Sequence, residues 1–234
     1  MYKRQKFGVL GTGGVGRTLA AGLVGQGHRV MIGTRNVAQT LMRVKADAMG
    51  NPPFSAWQRE NAAVGLGTFA EAAAHGEMVL NCTAGMATLE ALKAAGEDNL
   101  NGKVLVDVSN PLDFSHGMPP SLSVCNTDSL GEQIQRAFPD AKVVKTLNTV
   151  TARLMVDPDL VADGEHSIFV SGNDKEAKAS VVKILQGFGW QDIVDLGGIA
   201  SARGTEMWLP LWLELLGAQR TPMFNLKVVK QQGG

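Results

Sequence analysis

FGVLGTGGVGRTLAAGLVGQGHRVMIGTR, residues 7–35, decides the fold of this chain. A short apolar run at 7–10 enters Gly11-Thr12-Gly13-Gly14-Val15-Gly16, a helical pattern at 15–24 leaves it, and a second apolar run follows at 30–32. A G-x-G-x-x-G string says little alone. Directly after a strand and opening a helix, each glycine has a task. Gly11 makes the tight turn, Gly13 lets the backbone approach a pyrophosphate, and Gly16 lets helix and strand pack closely. The helix N-terminus then faces the phosphates. The second strand ends Gly33-Thr34-Arg35-Asn36 and carries no acid. An Asp or Glu there would hold the ribose 2′-hydroxyl of NAD. A hydroxyl and an arginine suit a 2′-phosphate instead. The dinucleotide expected is NADP(H), with Thr34, Arg35 and Asn36 at its 2′-phosphate end.

Outward from this unit the same rhythm repeats. Apolar, valine-rich runs recur at 78–80, 104–108 and 143–147, and suit strands buried on both faces of a parallel sheet. Helical patterns lie between, at 68–74, 87–95 and 129–137. Strand and helix in alternation predict an α/β fold, a doubly wound parallel sheet. Residues 48–61, with Pro52, Pro53, Phe54 and Trp57, break the rhythm and read as an insertion between the second and third strands, on the surface or over the site. Beyond 150 the units are smaller: strands at 167–170 and 192–196, helices at 175–186 and 200–216, and a closing strand at 224–229. No proline- or serine-rich linker divides the halves. One domain over 1–234 is expected, a core at 1–150 with its extension at 151–234 adding strands to the same sheet.

Composition narrows the function. The chain has 234 residues, with 22 Lys plus Arg against 22 Asp plus Glu. Zero net charge argues against a nucleic-acid or anionic-membrane partner. The apolar stretch 207–216 is interrupted by Pro210 and Glu214 and is too short to span a bilayer. With no apolar signal region at the N-terminus, a cytoplasmic protein is expected. Cys82 and Cys125 form neither a disulfide framework nor a metal cluster. Glycine supplies 28 of 234 residues, about 12% against a usual 7%, as a chain with many strand-to-helix turns requires.

The other strand ends carry the chemistry. The run to Asn81 leads into Cys82-Thr83-Ala84-Gly85, the next into Ser109-Asn110-Pro111, and the next into Asn148-Thr149. Ligands of open α/β sheets lie across these carboxyl ends, and each is small and polar. Thr83 and Ala84 are counted with the dinucleotide site. No Ser-x-x-x-Lys or Tyr-x-x-x-Lys pair stands near it, the sole tyrosine is Tyr2, and His28, His75, His116 and His166 are scattered. A carbonyl reductase needs a proton donor. Hydride exchange between a nicotinamide and a flavin-like ring needs mainly proximity and orientation.

These residues resemble the coenzyme F420-dependent NADP oxidoreductases. Residues 7–35, VDVSNPL (106–112), VVKTLNTV (143–150) and GGIASARGTEMWLPLW (197–212) carry the resemblance across nearly the whole chain. It implies an extended Rossmann fold without a separate substrate domain. It also implies hydride transfer between NADP(H) and a small-molecule acceptor, a deazaflavin (F420) or a flavin (FMN or FAD). By this resemblance Thr34 and Arg35 bind the 2′-phosphate, the glycine loop binds the pyrophosphate, and Asn110, Pro111, Asn148 and Thr149 lie beside the nicotinamide. No side chain is an obligatory acid or base. Archaeal deazaflavin-linked members carry histidine where Asn148 stands, whereas the reductase domains of transmembrane metalloreductases carry asparagine.

Two other readings share the glycine loop: an NADPH-dependent carbonyl or imine reductase, and a non-enzymatic NADP-binding sensor. In the helix at 200–216, Trp208, Leu209, Leu211, Trp212, Leu215 and Leu216 recur at helical spacing. They read either as core packing or as a homodimer contact.

Overall fold

The computed structural model describes residues 4–47 and 50–231. Tyr2 and Ala48, the first residue of the expected insertion, lie outside them. The chain opens with β1 (Lys6–Leu10), α1 (Gly14–Gly25) and β2 (Arg29–Thr34), then α2 (Val37–Met42) and α3 (Phe54–Glu60). Next come β3 (Val64–Thr68), α4 (Phe69–His75), β4 (Met78–Asn81), α5 (Thr88–Ala95) and α6 (Glu97–Leu100). Then follow β5 (Val104–Asp107), a small hairpin of β6 (Leu112–Asp113) and β7 (Ser121–Leu122), α7 (Leu130–Ala137) and β8 (Lys142–Thr146). The last part holds α8 (Ala152–Val156), β9 (Ser167–Gly172), α9 (Lys175–Gly187), β10 (Asp192–Asp195), α10 (Ala202–Met207) and α11 (Leu209–Gln219).

Eight strands form one sheet in the order β10-β9-β8-β5-β4-β1-β2-β3. From β3 to β8 this is the order of a dinucleotide-binding sheet, and every pair in that stretch is parallel. Period-2 alternation builds two cores. Val9, Leu80, Val106 and Val144 face one layer with Leu19 and Leu23 of α1. Leu10, Val79, Leu105 and Val143 face the other with Ala72 of α4, Leu92 of α5 and Ile134 of α7. Helices on both faces account for the continuously apolar strands.

The extension strands join the same sheet as expected, but in the opposite sense. β9 pairs antiparallel with β8, and β10 runs parallel to β9. Between β8 and β9 the chain forms the five-residue α8 and two single turns at Pro158–Leu160 and Ala162–Gly164, with no crossover helix of the length of α1 or α9.

Three expectations on individual elements are corrected. β3 went unread because Gly65 and Gly67 dilute its β pattern. The helix expected at 200–216 is two helices that break at Trp208, with Pro210, which lacks an N–H, in the first turn of α11. The closing strand at 224–229 is absent: Leu226 accepts one backbone bond from Ser167 (2.8 Å), and Val228 donates to the Ser167 hydroxyl (2.9 Å) rather than continuing a ladder. No helix among the described residues is long and apolar enough to cross a membrane.

α7 begins at Ser129, a buried N-cap whose hydroxyl accepts from the Glu132 amide (3.1 Å) and donates to the Glu132 carboxylate (2.8 Å). Ser129→Ala is expected to cost about 1–2 kcal/mol in urea unfolding.

Candidate functional site

The glycine loop bridges the carboxyl ends of β1, β2 and β4. Gly11 takes φ +117°, and its amide donates to the Gly33 carbonyl (3.0 Å), tying the loop to β2. A Cβ at Gly16 would collide with the Gly11 carbonyl, so α1 lies against the glycine loop as only glycine allows. Gly13 differs: a Cβ there meets nothing within 4 Å. Gly13 is also the N-cap of α1 and supplies no side-chain cap. The amides of Gly14, Val15 and Gly16 in the first turn lack intrahelical acceptors by position. Open space beside uncapped amides fits a pyrophosphate.

A cavity lies on each side of the loop. The first, about 540 Å³, is lined by Thr12 and Gly13 together with Arg43, Lys45, Asp47 and Phe54. Arg17 underpins it. Its guanidinium donates to the carbonyls of Thr12 (2.7 Å) and Pro52 (2.5 Å) and lies over the Phe54 ring, 5.3 Å from the centroid. Thus 50–61, the described remainder of the insertion, folds over the glycine loop rather than away from it, and Phe54 is buried in the core. Thr34 is buried, with its hydroxyl bonded to Thr40 (2.8 Å). Arg35 and Asn36 are exposed, and Asn36 caps α2 by accepting from the Gln39 amide (2.9 Å). The sequence reading passed over Arg43 and Lys45, which lie in an aperiodic stretch that carries no motif.

The second cavity, about 410 Å³, lies at the ends of β4 and β5. Thr83, Ala84, Ser109 and Asn110 line it with the apolar Val15, Met86, Leu112 and Phe114, and no charged residue does. Met86 and Phe114 are both more than half exposed and form an open apolar rim. Cys82 also lines this cavity; burial, reinforced by Asp107, pushes its thiol far above the ordinary range and leaves it an inert wall.

Of the four residues expected beside the nicotinamide, only Asn110 lines this cavity. Asn148 is buried and forms a reciprocal clasp with it: Asn148 Nδ2 donates to Asn110 Oδ1 and Asn110 Nδ2 to the Asn148 carbonyl, both at 2.9 Å. Asn148 Nδ2 also donates to the Thr205 carbonyl (3.1 Å). Leu147 bends the chain with φ +61°, and Thr149 lines a separate cavity of about 230 Å³ with Phe169 and Trp208. Pro111 lies between Asn110 and β6, its carbonyl accepting from the Ser123 amide (2.8 Å). None of the four histidines lines either of the two cavities beside the glycine loop. His166, for one, is held by the Pro158 carbonyl, Asn225 and the edge of Trp190.

Beneath the second cavity lies a charged cluster that the sequence reading missed. Lys145 of β8 donates to Asp107 Oδ2 (2.7 Å), Glu206 Oε1 (2.8 Å) and the Ser109 carbonyl (2.6 Å). All three ionisable side chains are at most 1% exposed. Burial alone would lower the Lys145 ammonium; the two carboxylates outweigh it and hold it above an ordinary lysine. Two signals pointed here, a lysine inside VVKTL and an aspartate inside VLVDV, each a charge in a strand buried on both faces.

The NADP oxidoreductase coenzyme F420-dependent family model matches residues 6–111. An Arthrobacter sp. FB24 protein proposed to be an F420-dependent NADP-reductase has a crystal structure 56% identical to this chain, with a TM-score of 0.92 over 97% of this chain and 100% of that one. The F420-dependent NADP reductase of Methanocaldococcus jannaschii is 30% identical over 62% of this chain and 64% of its own length. Metalloreductase STEAP3 of Rattus norvegicus is 32% identical over 89% of this chain but only 37% of its own length. The chain therefore spans less than two thirds of either curated relative. A reductive aminase from Aspergillus terreus in complex with NADPH, 17% identical with a TM-score of 0.61, shares the fold alone. With a full-length structural counterpart at 56% identity and a family model that matches the glycine loop and the strands that follow it, the chain belongs to the coenzyme F420-dependent NADP oxidoreductase family.

Proposed function

We propose that the chain transfers a hydride between NADP(H) and a planar tricyclic acceptor, a deazaflavin of the F420 type or a flavin. The observation that carries this is the second cavity: neutral polar groups on one wall, and Val15, Met86, Leu112 and Phe114 as an apolar surround. Bound NADPH supplies the hydride. The protein supplies orientation and dryness. Thr83, Ser109 and Asn110 offer hydrogen bonds to the nicotinamide carboxamide, and the Asn110–Asn148 clasp fixes that wall. The exposed faces of Met86 and Phe114 suit the flat ring of an acceptor. Two rings stacked at about 3–3.5 Å gain most of their rate from that orientation and need no side-chain acid. The F420-dependent and metalloreductase relatives, by their names, support this acceptor class. Stopped-flow oxidation of NADPH against F420, FMN, FAD and riboflavin tests it. Turnover with carbonyl or imine substrates and none with these four would overturn it.

At the other end, Thr34 closes β2 and the exposed Arg35 follows it, and the 2′-phosphate is assigned to them. Arg35→Ala should weaken NADPH binding about ten- to a hundredfold, as loss of a charged hydrogen bond implies, and barely affect NADH. Calorimetry showing equal losses for both would remove the 2′-phosphate from this position.

A further inference from the structure

Hydrogen-bond counting fixes the charge of the buried cluster. An ammonium has three N–H donors, and Lys145 spends them on Asp107, Glu206 and the Ser109 carbonyl. Asp107 meets donors on both oxygens. Oδ1 accepts from Asn81 Nδ2 (2.8 Å), the Ser109 hydroxyl (2.7 Å) and the Ser109 amide (3.2 Å), and Oδ2 accepts from Lys145. Glu206 likewise accepts from the amides of Leu130 (2.8 Å) and Gly131 (3.0 Å) at the start of α7, and from Lys145. No oxygen of either carboxylate faces an acceptor, so neither has a use for a proton. Two carboxylates against one ammonium leave one net negative charge, about half offset by the α7 N-terminus.

This charge is connected to the cavity wall. Ser109 lines the cavity and bonds both Asp107 and Lys145. Thr83 also lines it and donates to Asn81 Oδ1 (2.7 Å), while Asn81 donates to Asp107. No charged residue lines the cavity itself, so no counter-charge on its wall screens the remaining field of the cluster.

We propose that the Asp107–Lys145–Glu206 cluster poises the bound nicotinamide toward its oxidised, cationic form, so that bound NADPH is a stronger hydride donor than free NADPH. This rests on the NADP(H) reading of the site. In the step the C4–H bond of the nicotinamide breaks with its electron pair. A new C–H or N–H bond forms on the (deaza)flavin acceptor, the nicotinamide becoming cationic and oxidised while the acceptor becomes its reduced anion, which takes its proton from solvent. A fixed negative charge favours the ring that has lost the hydride. None of the three residues touches the ring; they are positioning residues that act through the wall.

The readout is the ratio of NADP+ to NADPH affinity, in which the shared pyrophosphate and 2′-phosphate contacts cancel. By calorimetry at fixed ionic strength, the unaltered chain should bind NADP+ at least about threefold more tightly than NADPH. Glu206→Gln and Asp107→Asn each remove one negative charge, and each should lower that preference about five- to tenfold. The unaltered chain needs no variant to fold, so equal or weaker binding of NADP+ by it overturns the proposal. So does a folded variant in which both affinities fall together at constant ratio, the result a merely structural role gives. Binding of neither dinucleotide by the unaltered chain would instead overturn the NADP(H) reading and the proposal with it.

Discussion

Gly13→Val is expected to weaken binding of NADPH and NADH alike by at least about a hundredfold, with the fold unchanged. Two observations set these outcomes. A Cβ at Gly13 meets no protein atom within 4 Å, and the backbone there, φ −75° and ψ 179°, is extended conformation open to valine. The cost to the fold is confined to a poorer N-cap for α1. The valine methyls would occupy the space over the first turn of α1, where the amides face an incoming pyrophosphate. Gly16→Val is the contrasting control: its Cβ runs into the Gly11 carbonyl, so this variant should lose stability before binding is considered. Calorimetry for affinity and circular-dichroism melting for the fold separate the two glycines. A folded Gly13→Val protein that binds NADPH with unchanged affinity would move the dinucleotide off the loop.

What could be read from the sequence follows the range of the interactions concerned. The glycine loop, the strands it joins and the small polar residues at the ends of β4 and β5 are local features, each legible within a few residues. Glycine at 65 and 67 hid β3, because pairing with β2 forms that strand more than its own propensity does. The reversed sense of β9 is equally invisible in composition, since a buried strand has the same pattern in either direction. Thr149 was expected beside the nicotinamide because it follows a strand end. The left-handed turn at Leu147 sends it to another cavity, and no local pattern marks a non-glycine residue in that conformation. The charged cluster was the hardest to read. Asp107 and Lys145 are 38 residues apart, Glu206 lies on α10, and only the pairing of β5 with β8 brings the first two together.

Lys145→Met is expected to destabilise the protein by about 3–5 kcal/mol in urea unfolding, the cost of breaking a buried ion pair while its partners stay. Methionine matches the lysine stem in length, so the loss reports charge more than packing. Asp107 and Glu206 would then share a buried site with no ammonium between them. Desolvation and mutual repulsion raise the pKa of such a carboxylate above the ordinary value near 4. The sign follows from proton counting. Between the unfolded and the raised folded pKa, the native state of the variant holds the extra proton, so its stability falls as pH rises. The deficit against the unaltered protein should therefore be smaller at pH 5 than at pH 8, and should level off below about pH 4. In the unaltered chain the Lys145 ammonium, held above an ordinary lysine, stays charged across this range and faces both carboxylates. A deficit below about 1 kcal/mol, or one that is the same at pH 5 and pH 8, would mean that the two carboxylates are not both charged in the native fold, and the electrostatic reading of the cavity wall would fall with it.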